Sequence, residues 1–164
     1  MSRPRRISDH PYFGVQPNFL TICTRGRAPV LTGAETVSLV MDRFFYTASE
    51  QQVAVIAYCA MPDHLHLLVD GQRDEADLKK FVTLARQRAG YRFRAATGKA
   101  LWQDGYYEHV LRDQEKTETV LCYIIANPLR KGLATNLFDY PFWGSVVYTR
   151  EELVASIGVR GCRT

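Results

Sequence analysis

The residues able to do chemistry are concentrated in two short stretches. MPDHLHLLVD, residues 61–70, sets His64 and His66 two apart at the end of an apolar run that begins at Val53. On a β-strand alternate side chains share a face, so the two imidazoles project together while Leu65, Leu67 and Val69 project into the core. Two imidazoles about 7 Å apart along one strand can grip a single metal ion from one side. A hydrogen-bonded histidine pair on a half-exposed strand fits the same positions. The other stretch is CYIIANPLRKGL, residues 122–133, which follows the acidic lead-in DQEKTETV and reads as a helix. Leu121, Ile124, Ile125 and Pro128 form its apolar stripe. Tyr123 lies roughly 150° away from that stripe, with Asn127 one turn on as its neighbour on an exposed face. Pro128 disfavours the α region at Asn127 and Gly132 suits a C-terminal cap, so the helix is predicted from about Lys116 to Asn127. A surface tyrosine beside a turn-forming Asn-Pro fits these residues too.

A phenol with a pKa of about 10 is a poor nucleophile at neutral pH. Two neutral imidazoles suit manganese or zinc by ligand softness. Asp63 either orients His64 or serves the turn; on a strand it would face the other way.

The elements that must position these groups follow from periodicity and breakers. Strands are predicted over Asn18 to Thr24, Val53 to Ala60, His64 to Asp70 and Tyr106 to Arg112, with helices from about Ala34 to Ser49 and Ala76 to Phe93 before the tyrosine helix. Glu151 to Ile157 can add a short terminal helix. The class is α+β: a ferredoxin-like β-α-β-β-α-β antiparallel sheet, covered on one face, plus a C-terminal helix carrying the tyrosine. The other sheet face is left for the histidines, with the tyrosine helix brought against it. Phe142 and Trp143 are expected to anchor the C-terminal segment.

MPDHLHLL followed some fifty residues later by YIIANPLRKGL resembles the single-tyrosine HUH transposases, in which U is a hydrophobe, here Leu65. The closer resemblance is to the REP-associated tyrosine transposases, bacterial relatives of the insertion-sequence enzymes that move as single-stranded DNA. It extends to FLTICTRGRAPVL, LWQDGYYEHVLRD and FDYPFWGSVVY, and so covers most of the chain. The resemblance implies that Tyr123 is the nucleophile, that His64, His66 and Asn127 hold Mg2+ or Mn2+, and that the product is a 5′-phosphotyrosine with a free 3′-hydroxyl. It implies a REP-type single-stranded or hairpin DNA substrate, and a monomer or a homodimer that exchanges the tyrosine helix.

The chain of 164 residues reads as a single domain, 1–164, with 1–15 a basic tail and about 135–164 a C-terminal extension. No apolar run is long enough to span a bilayer and the amino terminus carries no signal-type stretch, so a cytoplasmic, nucleoid-associated protein without membrane attachment is expected. Four cysteines without Cys-x-x-Cys spacing read as reduced. The net charge of +4 is modest, but 16 arginines stand against 5 lysines, and the arginine fork suits phosphate. The candidate DNA contacts are Arg3, Arg5 and Arg6 in the tail, Lys79, Lys80, Arg86 and Arg94 on the second long helix, and Arg112, Arg130 and Lys131. Arg92 falls inside that helix's apolar arc unless Gly90 bends or ends the helix early. His109 fits a place near the metal, a DNA contact or a structural role. Trp102, Tyr106 and Tyr107 fit either a stacking platform for bases or a core.

Three rivals share parts of this pattern. A non-catalytic, repressor-like hairpin-binding protein would keep the same fold. A histidine-triad nucleotide hydrolase needs a third histidine where Leu68 stands. A metal-binding structural protein leaves the arginines without a role.

Overall fold

The computed structural model describes residues 17–112 and 114–161. In chain order these form β1 (Asn18–Cys23), α1 (Ala34–Glu50), β2 (Val53–Met61), β3 (His64–Gly71), α2 (Leu78–Thr97), β4 (Tyr107–Val110), α3 (Gln114–Arg130), β5 (Trp143–Gly144) and α4 (Arg150–Gly161). The strands make one antiparallel sheet in the order β4-β1-β3-β2-β5. Its first four members have the ferredoxin-like arrangement that the element string predicts, and β5 is added at the β2 edge. The basic tail, with Arg3, Arg5 and Arg6, lies outside the described residues. No described helix is long and apolar enough to cross a membrane.

The sheet is covered on both faces, with α1 and α2 on one and α3 against the histidine face. Leu65, Leu67 and Val69 pack with Phe44 of α1 and Phe81 of α2 on one side, while Leu68, Cys59 and Met61 pack with Ile124 and Ile125 of α3 on the other. The physical cause is in the strands themselves. VAVIAYCAM is apolar almost throughout, as a strand buried on both faces must be. A bulge between Val55 and Ala57 turns Ile56 and Ala57 both toward α3.

The tyrosine helix is not the last element. After α3 come a 3-10 turn over Leu137–Asp139, β5 and α4; the turn and α4 pack against α3, and β5 pairs with β2. Trp143 is fully buried and donates its indole N–H to the Leu137 carbonyl at 2.7 Å, as expected of an anchor. Trp143→Ala is expected to cost about 3–5 kcal/mol of stability, seen as a lower urea midpoint at unchanged slope.

Two smaller expectations are corrected. α2 runs on to Thr97, capped by Gly98 at φ 75°, and Arg92 is exposed; Gly90 does not end the helix but lies against the Trp102 indole. Cys23 and Cys59 are free as predicted, whereas Cys122 is disulfide-bonded. Missing Cys-x-x-Cys spacing excludes only local pairing, because disulfides depend on distance in space.

Candidate active site

β2 and β3 are joined by Pro62 and Asp63 alone, and this tight turn is tied to the start of the chain. Thr24 donates its backbone N–H and its hydroxyl to the Asp63 carbonyl, each at 3.0 Å, and the Leu31 N–H bonds the Pro62 carbonyl. Asp63 therefore belongs to a turn and escapes the strand alternation that would point it away from His64. Its carboxylate accepts the His64 Nδ1–H at 2.6 Å and is held from the other side by Arg27 at 3.1 Å. Asp63 fills both roles open in the sequence: its backbone serves the turn and its carboxylate orients His64.

His64 and His66 are both buried, side by side on the α3 face, with their Nε2 atoms 3.0 Å apart. His66 Nδ1 lies 3.0 Å from the Thr21 hydroxyl of the neighbouring strand, where the register pairs Thr21 with His66. One proton arrangement satisfies every group: Thr21 donates to His66 Nδ1, His66 Nε2–H donates to His64 Nε2, and His64 Nδ1–H donates to Asp63. If a cation takes the space between the rings, the His66 proton moves to Nδ1 and Thr21 becomes the acceptor. A hydroxyl serves both states. Burial pushes His66 down to about 3, helped by the neighbouring imidazole and Arg130. Burial also lowers His64, against the pull of Asp63. Although burial opposes it, the His64 bond and the Arg27 charge hold the Asp63 carboxyl below its usual range. Both shifts favour the neutral imidazole, the form that ligates metal.

Tyr123 projects from α3 onto this pair within the same chain. Its ring meets His66 edge-on at 5.5 Å between centroids and Phe19 at 6.0 Å, and it is 44% exposed, so one side is open to a substrate. The expected helix end at Asn127 is not observed. Pro128 forgoes the bond to the Ile124 carbonyl, yet α3 continues to Arg130, closed by Gly132 at φ 68° and the Leu133 N–H to Pro128 carbonyl bond of 2.9 Å. That extra turn sets Arg130 seven residues after Tyr123 on the same side of the helix. Its guanidinium lies 4.2 Å from the Tyr123 ring centre and donates to the Tyr123 carbonyl at 2.6 Å.

The remaining candidates divide by position. Asn127 is buried, not exposed beside Tyr123 as the helical spacing predicts, because α3 is covered by more of the chain than its own stripe needs. Lys79, Lys80, Arg86 and Arg94 are on α2, across the sheet from the histidines; Arg86 is spent internally, donating to the Gln103 carbonyl and stacking on Tyr106. Arg112 is exposed beyond β4, and Lys131 is exposed beside Arg130. His109 is exposed on β4 opposite Phe19. Thr21, Phe19 and Arg27 were not singled out by sequence. The alternation of FLTIC puts Phe19 and Thr21 on one face, but only the β1–β3 register reveals that this is the histidine face.

A family model described as IS200-like transposase matches residues 19–127, a span holding both histidines and Tyr123. The chain belongs to the IS200-like transposase family. A curated family relative from Haemophilus influenzae, named as a REP-associated tyrosine transposase, is 27% identical over 107 residues, 58% of this chain. The match spans 61% of that relative's length. Among solved structures, a REP-associated tyrosine transposase bound to a REP hairpin superimposes with a TM-score of 0.67 at 23% identity, over 87% of this chain and 82% of its own. A Deinococcus radiodurans R1 transposase gives 0.52 at 22% identity, over 66% and 87%. At these identities the two likenesses speak for the fold.

Family membership brings metal dependence into view, and the donor set fits a divalent cation. Two neutral imidazoles converge, each with its other ring nitrogen held by oxygen, as in carboxylate–histidine metal ligation. Among the described residues no cluster of three His, Cys, Asp or Glu side chains is assembled, so a cation held by this pair would need further donors. Removing the groups behind the rings, by Asp63→Ala or Thr21→Val, is expected to weaken Mn2+ binding about 10–100-fold by titration calorimetry. Asp63→Asn, whose amide oxygen still accepts from Nδ1, should lose less.

Proposed function

We propose that this chain is a metal-dependent single-stranded DNA endonuclease and strand transferase acting on REP-type hairpin DNA. The observation that carries the reading is the Tyr123 ring lying 5.5 Å from the His66 imidazole inside one chain, half open to solvent. Tyr123 is the nucleophile. Its oxygen bonds to the scissile phosphorus, the bond from phosphorus to the 3′-oxygen breaks, the tyrosine proton is lost and the leaving oxygen gains one. The products are a 5′-phosphotyrosine and a free 3′-hydroxyl. Bond energy is conserved in the linkage, so a 3′-hydroxyl of another strand reverses the step without ATP.

His64 and His66, with the Asn127 amide oxygen as third ligand, would hold Mg2+ or Mn2+, which when bound supplies charge neutralisation at the phosphate and Lewis acidity at the leaving oxygen. Arg130 and Lys131 fit the phosphate backbone beside the tyrosine. The reading needs no exchange of helices between copies, so a monomer suffices; a homodimer would carry two such sites.

The test is direct. Labelled hairpin oligonucleotides with single-stranded flanks, incubated with the full chain and Mn2+, should yield a protein–DNA adduct that survives denaturation and disappears with chelator. Binding without adduct, across many hairpins, would leave a repressor-like hairpin-binding protein in its place.

A further inference from the structure

The edge strand β4 carries aromatic chemistry that the cleavage step does not use. β4 pairs with β1 so that Tyr107 stands opposite Thr21 and His109 opposite Phe19. Cross-strand partners share a sheet face, and Thr21 is the residue that holds His66. Tyr107 and His109 therefore lie on the histidine face, as does Leu111, two residues on and buried with the α3 core. The three aromatic residues of this segment have different fates. Trp102 packs edge-on against Phe44 and donates its N–H to the Arg86 carbonyl, and Tyr106 lies under the Arg86 guanidinium. Tyr107 instead stays 56% exposed and, among the rings of the described residues, meets Phe19 edge-on at 6.1 Å.

Phe19 is the link. Its ring meets Tyr123 at 6.0 Å, His66 at 5.4 Å and Tyr107 at 6.1 Å, so aromatic surface runs without a break from the nucleophile to the open edge of the sheet. Cations flank the inner end, where Arg130 covers Tyr123 and Arg27 braces Asp63. An aromatic track beginning at a phosphate-binding point and rimmed by arginines has the make-up of a single-strand nucleic-acid groove.

We infer that Tyr107, backed by Phe19, is the stacking seat for an unpaired base of the strand whose phosphate faces Tyr123. The inference rests on the cleavage reading above and adds to it where the flanking single strand lies. Stacking on one ring face tolerates every base, so Tyr107 sets the position of the flank and not its sequence.

Binding without chemistry tests this. Affinities of the full chain for a hairpin with its single-stranded flank and for the same hairpin trimmed blunt are measured by anisotropy in chelator at fixed salt. Tyr107→Ala should weaken the flanked hairpin about 5- to 150-fold, the range for one stacked base, and leave the blunt hairpin unchanged. Tyr107→Trp should restore affinity, and 2-aminopurine in the flank should be quenched by the wild type but not by the alanine variant. Equal affinity of wild type and Tyr107→Ala for the flanked hairpin overturns the inference, as does an equal loss on both hairpins. A loss accompanied by a changed sedimentation coefficient would reassign the face to a contact between copies. If the wild type binds neither hairpin, the cleavage reading falls first and takes the stacking seat with it.

Discussion

Tyr123→Phe is expected to abolish the covalent adduct, lowering its yield at least about a thousandfold, while hairpin affinity should stay within a few-fold of wild type. The substitution is chosen for what it leaves alone. The ring keeps its edge-on packing on His66 and Phe19 and its place beneath the Arg130 guanidinium, so only the oxygen is lost. Because the side chain is half exposed, no buried polar group is stranded and stability should change little. The check is a denaturing gel of labelled hairpin with both proteins, beside an anisotropy titration of each. An adduct of equal yield would remove Tyr123 from its role, and a parallel collapse of affinity would show that the phenol binds and does not react.

Arg130 sharpens this expectation. It touches the same ring from the solvent side and is bonded to the Tyr123 carbonyl, so it fixes the orientation in which the phenol is offered. That position exists only because α3 passes through Pro128. A helix ending at Asn127, as the sequence predicts, would leave Arg130 in a loop with no fixed relation to the tyrosine.

The contrast defines what the sequence could and could not convey. Period-2 alternation in HLHLLVD placed both histidines on one face, and the β-α-β-β-α-β string placed the strands, because both are local consequences of backbone geometry. The pairing of β1 with β3 is not local. Thr21 behind His66 and Phe19 beside Tyr123 become visible only with the register that sets Thr21 opposite His66. Burial of β2 on both sides was legible in VAVIAYCAM, yet the bulge at Ile56 that makes it work leaves no sign in a run where every residue is apolar. Asp63 was misjudged by the strand rule because it belongs to a two-residue turn. Asn127 was misjudged by the helical wheel, which counts one helix's stripe and not what the rest of the chain lays over it.

The other large effect is expected at the histidines. His66→Ala should reduce Mn2+ affinity at least about a hundredfold and remove adduct formation, and His64→Ala should do the same, because each ring supplies one of two nitrogens that meet 3.0 Å apart. If both serve one ion, the losses cannot add: the double variant should be no less active than either single one, since a site with one imidazole already fails to hold the cation. Mn2+ binding by calorimetry and adduct yield across the two single variants and the double give the cycle. The rival, a pair held together only by hydrogen bonds, predicts otherwise. Removing His66 would then cost stability through the cavity and the unpaired His64 Nε2, but adduct formation in the folded fraction would survive and chelator would have no effect on the wild type. A buried imidazole pushed down to about 3 resists a proton and stays in the neutral form that can ligate a divalent cation.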